Sequence, residues 1–310
     1  MTIIKYESEM EWLEGRSGDL TSTEVASLFG ISPHKSRYKL WMEKAGKVSG
    51  YVEDNQHMRW GRRLQLPIAA GISADNNWSC LDLTLYYLKH PTLKLGASMD
   101  HKVICDKRGA GLMEIKSTGY FQEEKGWTKE SAPLEYEVQL QTQLHLARIN
   151  GSPFDFGVIA ALDGRKNTRI YFIDYDPAFG EALERETAAF WKSIEENSPP
   201  EPDYVTDEEI IHSLIPKPRA GEGKNLSENP EAVRIMQEWQ QYENRLARIK
   251  PRIKALEDGK TACKNKILTM IGNAQFVTIG KIQINTTETE TEDTIRYSTK
   301  TRRFSVRKLK

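Results

Sequence analysis

Two short apolar runs, residues 101–106 (His-Lys-Val-Ile-Cys-Asp) and 112–118, flank the turn Lys107-Arg108-Gly109-Ala110-Gly111. This pair constrains the chain more than any other stretch. Runs of that length on either side of a glycine-rich turn read as two strands of a hairpin. Asp100, after Gly96-Ala97-Ser98-Met99, then stands at the start of the first strand. Side chains alternate across a strand, so Glu114 and Lys116 share one side while Ile115 points into the core. Such a hairpin can bring Asp100 and Glu114 to one point. Two carboxylates are hard ligands that suit Mg²⁺ or Mn²⁺ and leave coordination positions open. An ammonium group beside them can orient or help deprotonate a water and offset developing negative charge. The plain alternative is a solvated strand face with Asp100 in an ordinary turn.

The surrounding pattern is α/β, a mixed central β-sheet flanked by helices. Thr21 and Glu24 have capping-box spacing, which places Thr23 in the first turn of a short helix running to about Gly30. Ser36 to about Ala45 reads as a helix with Gly46 after it. Residues 57–73 read as another, interrupted by Gly61 and Pro67, and a strand follows at about 81–88. The helix from about Glu135 to Ile149 sets Leu140, Leu144 and Ala147 toward the core. Gln139 and Gln143 share a neighbouring face, and Gln141 lies about 100° from Leu140. A hairpin across Asp163-Gly164 (154–162 and 168–174) and a helix over 177–196 complete this part.

Proline-rich residues around Pro199-Pro200-Glu201-Pro202 mark its end. The expected organisation is a domain over 1–205, a linker over 206–229 and an extension over 230–310. In the extension, a helix from Pro230 to about Lys254 and a second from about Gly259 to Ile271 suggest a helical hairpin or short coiled coil. The alternation of Phe276, Ile279, Ile282, Ile284, Phe304 and Val306 suggests a small β-ribbon. Residues 286–293 read as an acidic, threonine-rich loop or edge.

Composition narrows the classes without choosing one. Lysine plus arginine number 44 against 44 aspartate plus glutamate, so the net charge is zero and any nucleic-acid surface must be a segregated patch. Arg59, Arg62 and Arg63 form one basic cluster; Lys300, Arg302, Arg303, Arg307, Lys308 and Lys310 form another. Residues 181–209 are acidic. No run approaches the roughly 18 apolar residues that span a membrane. Three separated cysteines suggest neither zinc nor a disulfide framework. Without a signal-peptide pattern at its start, the chain is expected to be cytoplasmic.

Four blocks in order carry a resemblance: Trp12–Arg16 with Leu20–Val25, Met58–Gln65, His90-Pro91 leading to Asp100 and Glu114-Ile115-Lys116, and Val138–Leu144. Together they resemble the lambda-type phage recombination exonucleases, the YqaJ viral recombinase family within the PD-(D/E)xK nuclease fold. The resemblance implies that Asp100, Glu114 and the Ile115 carbonyl hold Mg²⁺, with Mn²⁺ a substitute, and that Lys116 acts on the attacking water. It implies a 5′-phosphate pocket from Arg16, Thr23, Ser98 and Gln141, and contacts from Arg59, Arg62 and Arg63 to the DNA backbone. The implied activity is 5′→3′ degradation of linear double-stranded DNA ends, leaving 3′ single-stranded tails. The implied partners are a ring-shaped homotrimer and a single-strand annealing protein, in a bacterial or phage-infected cell. This sequence departs from the pattern at three places. Gln65 stands where the family has a glutamate after the Trp-Gly block, and an uncharged amide there would weaken binding of a second metal. Met99 and His101 replace a proline and a glycine around Asp100. His90 stands where some relatives carry an acidic residue near the metals. The amide at 65 leaves open a catalytically weakened DNA-end-binding or assembly protein of the same fold; a related endonuclease is a further alternative.

Overall fold

The strands His101–Cys105 and Gly109–Thr118 form the expected antiparallel hairpin, with His101 opposite Met113 and Cys105 opposite Gly109. The computed structural model describes residues 3–50, 53–215, 223–292 and 298–308, with side chains as far as Thr286. Residues 216–222 of the expected linker, Asp293 and Lys310 lie outside the described residues. The chain forms two units, Met1–Lys217 and Pro218–Lys310.

In the first unit the order is β1 (Ile3–Lys5), α1 (Glu9–Arg16), β2 (Leu20–Thr21), α2 (Val25–Leu28), α3 (Arg37–Lys44) and α4 (Gln56–Asn76). There follow β3 (Ser79–Asp82), β4 (Tyr86–Lys89), β5 (Leu95–Ser98), β6 (His101–Cys105) and β7 (Gly109–Thr118). α5 (Leu134–Ile149), β8 (Phe156–Asp163), β9 (Thr168–Asp174), α6 (Pro177–Glu195) and α7 (Glu208–Leu214) close it. A mixed five-stranded sheet runs β3-β6-β7-β8-β9, and a four-stranded one runs β1-β4-β5-β2. β7 and β8 are parallel, so the chain must cross over between them, and α5 is that crossover.

Alternation along the sheet divides the core. Met113, Ile115, Val158 and Ala160 pack against Ile68 and Ile72 of α4. Leu112, Ile159 and Ala161 belong to the larger cluster, with Leu140 and Leu144 of α5. Glu114 and Lys116 therefore project toward α5, on a buried face of the sheet rather than a solvated one. Gly157 lets α5 sit close, because a Cβ there would meet the Leu140 side chain at 2.7 Å.

Local expectations met several corrections. α4 runs unbroken through Gly61 and Pro67. The ring at 67 removes only the bond to the Arg63 carbonyl, and both residues are exposed, so water can serve that oxygen. The single strand anticipated near 81–88 is two strands in different sheets, separated by a turn in which Tyr86 N–H bonds the Leu83 carbonyl at 2.8 Å. α2 is one turn long and begins after Glu24, so Thr23 precedes it rather than lying in its first turn. Glu24 does reach back to the Thr21 N–H at 3.0 Å, as a capping box requires.

In the second unit, α8 (Pro230–Ile271) is one continuous 42-residue helix, not the anticipated helical hairpin. Its start is capped by Asn229, whose side chain accepts from the Ala232 N–H at 3.0 Å. β10 (Phe276–Ile279), β11 (Ile282–Glu292) and β12 (Ser298–Lys308) form an antiparallel sheet with β11 in the middle. Residues 286–292 are thus part of the central strand and not a loop or edge. The register sets Glu288 opposite Arg302 and Glu290 opposite Lys300.

The close approach at Gly157 can be tested. Gly157→Ala is expected to destabilise the chain by about 1–3 kcal/mol, the usual cost of overpacking a filled core. Adding Leu140→Ala, which vacates the contested space, should make the double variant less destabilised than the sum of the two singles, read from urea midpoints.

Candidate active site

Two carboxylates, an ammonium and three glutamines meet where β5, β6, β7, α4 and α5 come together. Asp100 sits at the β5–β6 junction. Its Oδ1 accepts from Gln65 Nε2 on α4 at 2.8 Å, and its Oδ2 accepts from the Ile115 N–H on β7 at 2.8 Å. Glu114 is 4% exposed. Its Oε1 accepts from Lys116 Nζ at 2.7 Å and from Gln139 Nε2 at 2.7 Å, and its Oε2 accepts from Gln143 Nε2 at 2.7 Å. Lys116 Nζ also donates to Gln139 Oε1 at 2.9 Å and stands 4.4 Å from the centre of the Tyr136 ring. Gln143 extends the network to the Ser98 carbonyl at 2.9 Å.

The electrostatics follow from burial and proximity. Burial, and then the nearby Glu114 carboxylate, push the Asp100 carboxyl well above the usual aspartate range; the Ile115 N–H and Lys116 oppose this less strongly. Burial alone would lower the Lys116 ammonium. The charge and hydrogen bond of Glu114, with Asp100, outweigh it and hold Lys116 above the usual lysine range. Lys116 is therefore an ammonium at neutral pH, able to donate and to carry positive charge.

A cavity of about 440 Å³ opens onto these groups. Trp12 and Arg16 of α1, the Thr21–Thr23 segment and Ser98 also line it. Trp12 Nε1 donates to Ser98 Oγ at 2.7 Å, and the Arg16 guanidinium stacks 4.2 Å from the Trp12 ring centre. Burial lowers the Arg16 pKa, opposed by Tyr87 and Glu24. Glu24 is itself held by Lys44 at 2.8 Å, so it does not neutralise Arg16 by direct pairing. Thr23 Oγ1 lies 3.0 Å from Thr21 Oγ1.

Most residues singled out in the sequence converge here: Asp100, Glu114, Ile115, Lys116, Gln65, Arg16, Thr23, Ser98 and Arg62 all line the one cavity. Two do not. Gln141 points elsewhere, its Nε2 donating to the Asp174 carbonyl at 2.6 Å and its Oε1 accepting from the Asp176 N–H at 3.0 Å, so it fastens the β9–α6 turn. His90 is also remote from the carboxylates: its Nδ1 accepts from the Leu93 N–H at 3.0 Å and its Nε2 faces Glu184 at 3.3 Å. Arg59 and Arg63 lie on the exposed part of α4, where Arg59 pairs with Asp54 at 3.6 Å and Arg63 stacks on Trp60 at 5.5 Å. The residues that sequence reasoning left on a helix surface are Gln139 and Gln143. Their four-residue spacing on a helix with an otherwise buried face was the available signal.

The donor set fits a hard divalent cation. Asp100 and Glu114 are close enough for one to raise the other's pKa, and a paired set of carboxylate oxygens is what a hard divalent cation takes. Among the described residues no three His, Cys, Asp or Glu side chains are grouped to hold a metal. Gln65 is the reason the acidic count stops at two in this cavity.

Residues 11–150 match the model of the YqaJ-like viral recombinase domain. That stretch is similar to such a domain. Every residue lining the cavity, from Trp12 to Gln139, falls inside it. The chain is also similar to the uncharacterized protein YqaJ of Bacillus subtilis (strain 168), at 22% identity over 287 residues, 91% of this chain and 85% of that one. Among solved structures it is similar to an alkaline exonuclease from Laribacter hongkongensis, with 24% identity and a TM-score of 0.48, covering 66% of this chain and 99% of that one. A phage-related exonuclease from Haemophilus somnus 129PT gives 11% identity and a TM-score of 0.41, covering 64% and 96%.

The raised Asp100 pKa has a sign that can be checked without metal. A carboxyl whose folded pKa lies above its unfolded value favours folding least when ionised, so its contribution is lost as pH rises through the folded pKa. Asp100→Asn is expected to raise the urea midpoint at pH 7–8 in EDTA. The gain should vanish as the pH falls below the unfolded aspartate value of about 3.9. A variant no more stable than the parent at pH 8 would contradict the assigned repulsion.

Proposed function

We propose that this chain is a deoxyribonuclease, a metal-dependent 5′→3′ exonuclease that acts on linear double-stranded DNA ends and leaves 3′ single-stranded tails. The observation carrying this is the meeting of an acidic pair, Lys116 and the Arg16–Ser98–Thr23 group around one cavity. Asp100, Glu114 and the Ile115 carbonyl would hold Mg²⁺, or Mn²⁺ in its place. The bound cation supplies Lewis acidity toward a phosphate oxygen and lowers the pKa of a bound water. Lys116, protonated and fixed between Glu114 and Gln139, orients the attacking water and stabilises charge on the phosphoryl oxygens. Hydrolysis joins the water oxygen to phosphorus and breaks the P–O3′ bond, and the leaving oxygen takes up a proton. Glutamines 139 and 143 hold Glu114 in one rotamer so that its charge meets the reacting centre.

Arg16 can grip a terminal phosphate through paired N–H donors. Ser98 Oγ already accepts from Trp12, which leaves its hydroxyl hydrogen for a phosphate oxygen; Thr23 adds another hydroxyl. Arg62, with Arg59 and Arg63 further along α4, would follow the DNA backbone. By family likeness the enzyme would work in the cytoplasm as a ring-shaped homotrimer beside a single-strand annealing protein.

Digestion of a linear duplex labelled separately at each end, with and without 5′-phosphate, tests the reading in Mg²⁺. Lys116→Ala should abolish nucleotide release while DNA binding persists. Arg16→Ala should lower kcat/KM on 5′-phosphorylated ends by roughly 10- to 100-fold, the worth of a charge-assisted contact, and change little on 5′-hydroxyl ends. No release under any divalent metal would sink the proposal.

Gln65 favours a second reading, a DNA-end-binding protein of weakened activity. An amide neither carries charge nor acts as a base, and here its nitrogen is turned to Asp100. Gln65→Glu adds a third carboxylate. It should lower the melting temperature in EDTA, raise it in Mn²⁺ and tighten Mn²⁺ binding in titration calorimetry. A many-fold rise in cleavage rate as well would identify the parent chain as the weakened form.

A further inference from the structure

α8 displays an apolar stripe that its own unit leaves uncovered. Trp239, Tyr242, Leu246, Ile249, Ile253 and Leu256 succeed one another in alternating steps of three and four residues, and each is between 47% and 75% exposed. Lys260, Cys263, Ile267 and Met270 continue the rhythm. A mean spacing of 3.5 residues keeps a narrow seam on one side of a helix and is the pattern of a left-handed two-stranded coil. At 1.5 Å per residue the seam is about 45 Å long. Pro251 lies on the face away from it, so the helix-breaking ring and the backbone carbonyl it frees do not disturb the seam.

The flanking charges choose both the occupant and its direction. If a second copy lay parallel and in register, Glu238 would face Glu243 of that copy and Arg245 would face Lys250; only Arg252 with Glu257 would be complementary. Turned antiparallel, with Leu246 opposite Cys263 and Ile253 opposite Leu256, the same helix sets Glu243 against Lys264 and Lys250 against Glu257. Two-fold symmetry repeats each of these pairs. Arg245 against Lys266 is then the like-charge contact, and Arg252 faces Gly259. Like charges across such a seam disfavour an arrangement and opposite charges select it.

We propose that α8 pairs antiparallel with α8 of a second copy of this chain, in the register that sets Leu246 against Cys263. The pairing stands apart from the nuclease reading and adds a two-fold contact to whatever assembly the first unit forms; with a trimeric ring it would join rings in pairs.

Sedimentation of the full chain reads the pairing directly. Ile249→Asp with Ile253→Asp should halve the mass, because an isologous contact doubles it. An unchanged mass overturns the proposal. In a Cys80→Ser background, Leu246→Cys should give an oxidised dimer through Cys263 of the second copy on a non-reducing gel. That variant reads the register without charging the seam. Absence of the dimer, or equal dimer from Cys263 alone, which marks a parallel pair, overturns it as well.

Discussion

Glu114 governs the first unit. Taking a carboxylate out of water costs several kcal/mol unless charge and hydrogen bonds replace the solvent. Here Lys116, Gln139 and Gln143 replace it, with donors at 2.7 Å on both oxygens. These donors come from β7 and α5, and Gln143 continues to the β5 backbone, so one side chain fixes the crossover helix against two sheets. Asp100 depends on the same arrangement. Its oxygens are held by the Ile115 N–H, one residue along from Glu114, and by Gln65, and its raised pKa reflects burial together with Glu114's charge. The structural requirement for a folded core and the chemical requirement for a charged, rigid site are met by the same hydrogen bonds.

The cavity lining joins opposite charges: the carboxylates with Lys116, and Arg16 backed by Trp12, which in turn fixes Ser98. α1 contributes little to either hydrophobic core cluster, so the Trp12–Ser98 hydrogen bond is a main tie between that helix and the site wall.

Much of this was legible in the residues. The hairpin of β6 and β7 followed from strand alternation around a glycine-rich turn, and the side shared by Glu114 and Lys116 followed from the period of two. What a sequence pattern carries less well is tertiary context. The family pattern points to Gln141 over Gln139 and Gln143, although the four-residue spacing of the latter two matches one helical face; only the position of Glu114 shows which face meets the carboxylate. Gly61 and Pro67 looked like interruptions of α4, yet both stay within a helix whose buried stripe, Ile68, Ala69 and Ile72, is held by the sheet. The run 81–88 reads as one strand, but the turn after Asp82, tied through Thr84 N–H to Asp82 Oδ1 at 2.8 Å, sends its two ends into different sheets.

The second unit obeys a different balance. Helices in water are marginal from propensity alone, and most of their stability comes from burying an apolar stripe. α4, α5 and α6 do this against the sheets. α8, twice the length of α4 at 42 residues against 21, buries almost nothing of its own unit beyond Ile271. Its sequence contains both Pro251 and Gly259, each of which weakens an isolated helix. A helix so built needs a surface to lie against, and a regular three-four stripe is the pattern that suits another helix better than a sheet. This also explains why the segment was anticipated as two helices. Local breakers are visible in a sequence, whereas the long-range seam that overrides them becomes visible only when the whole length is followed as one face.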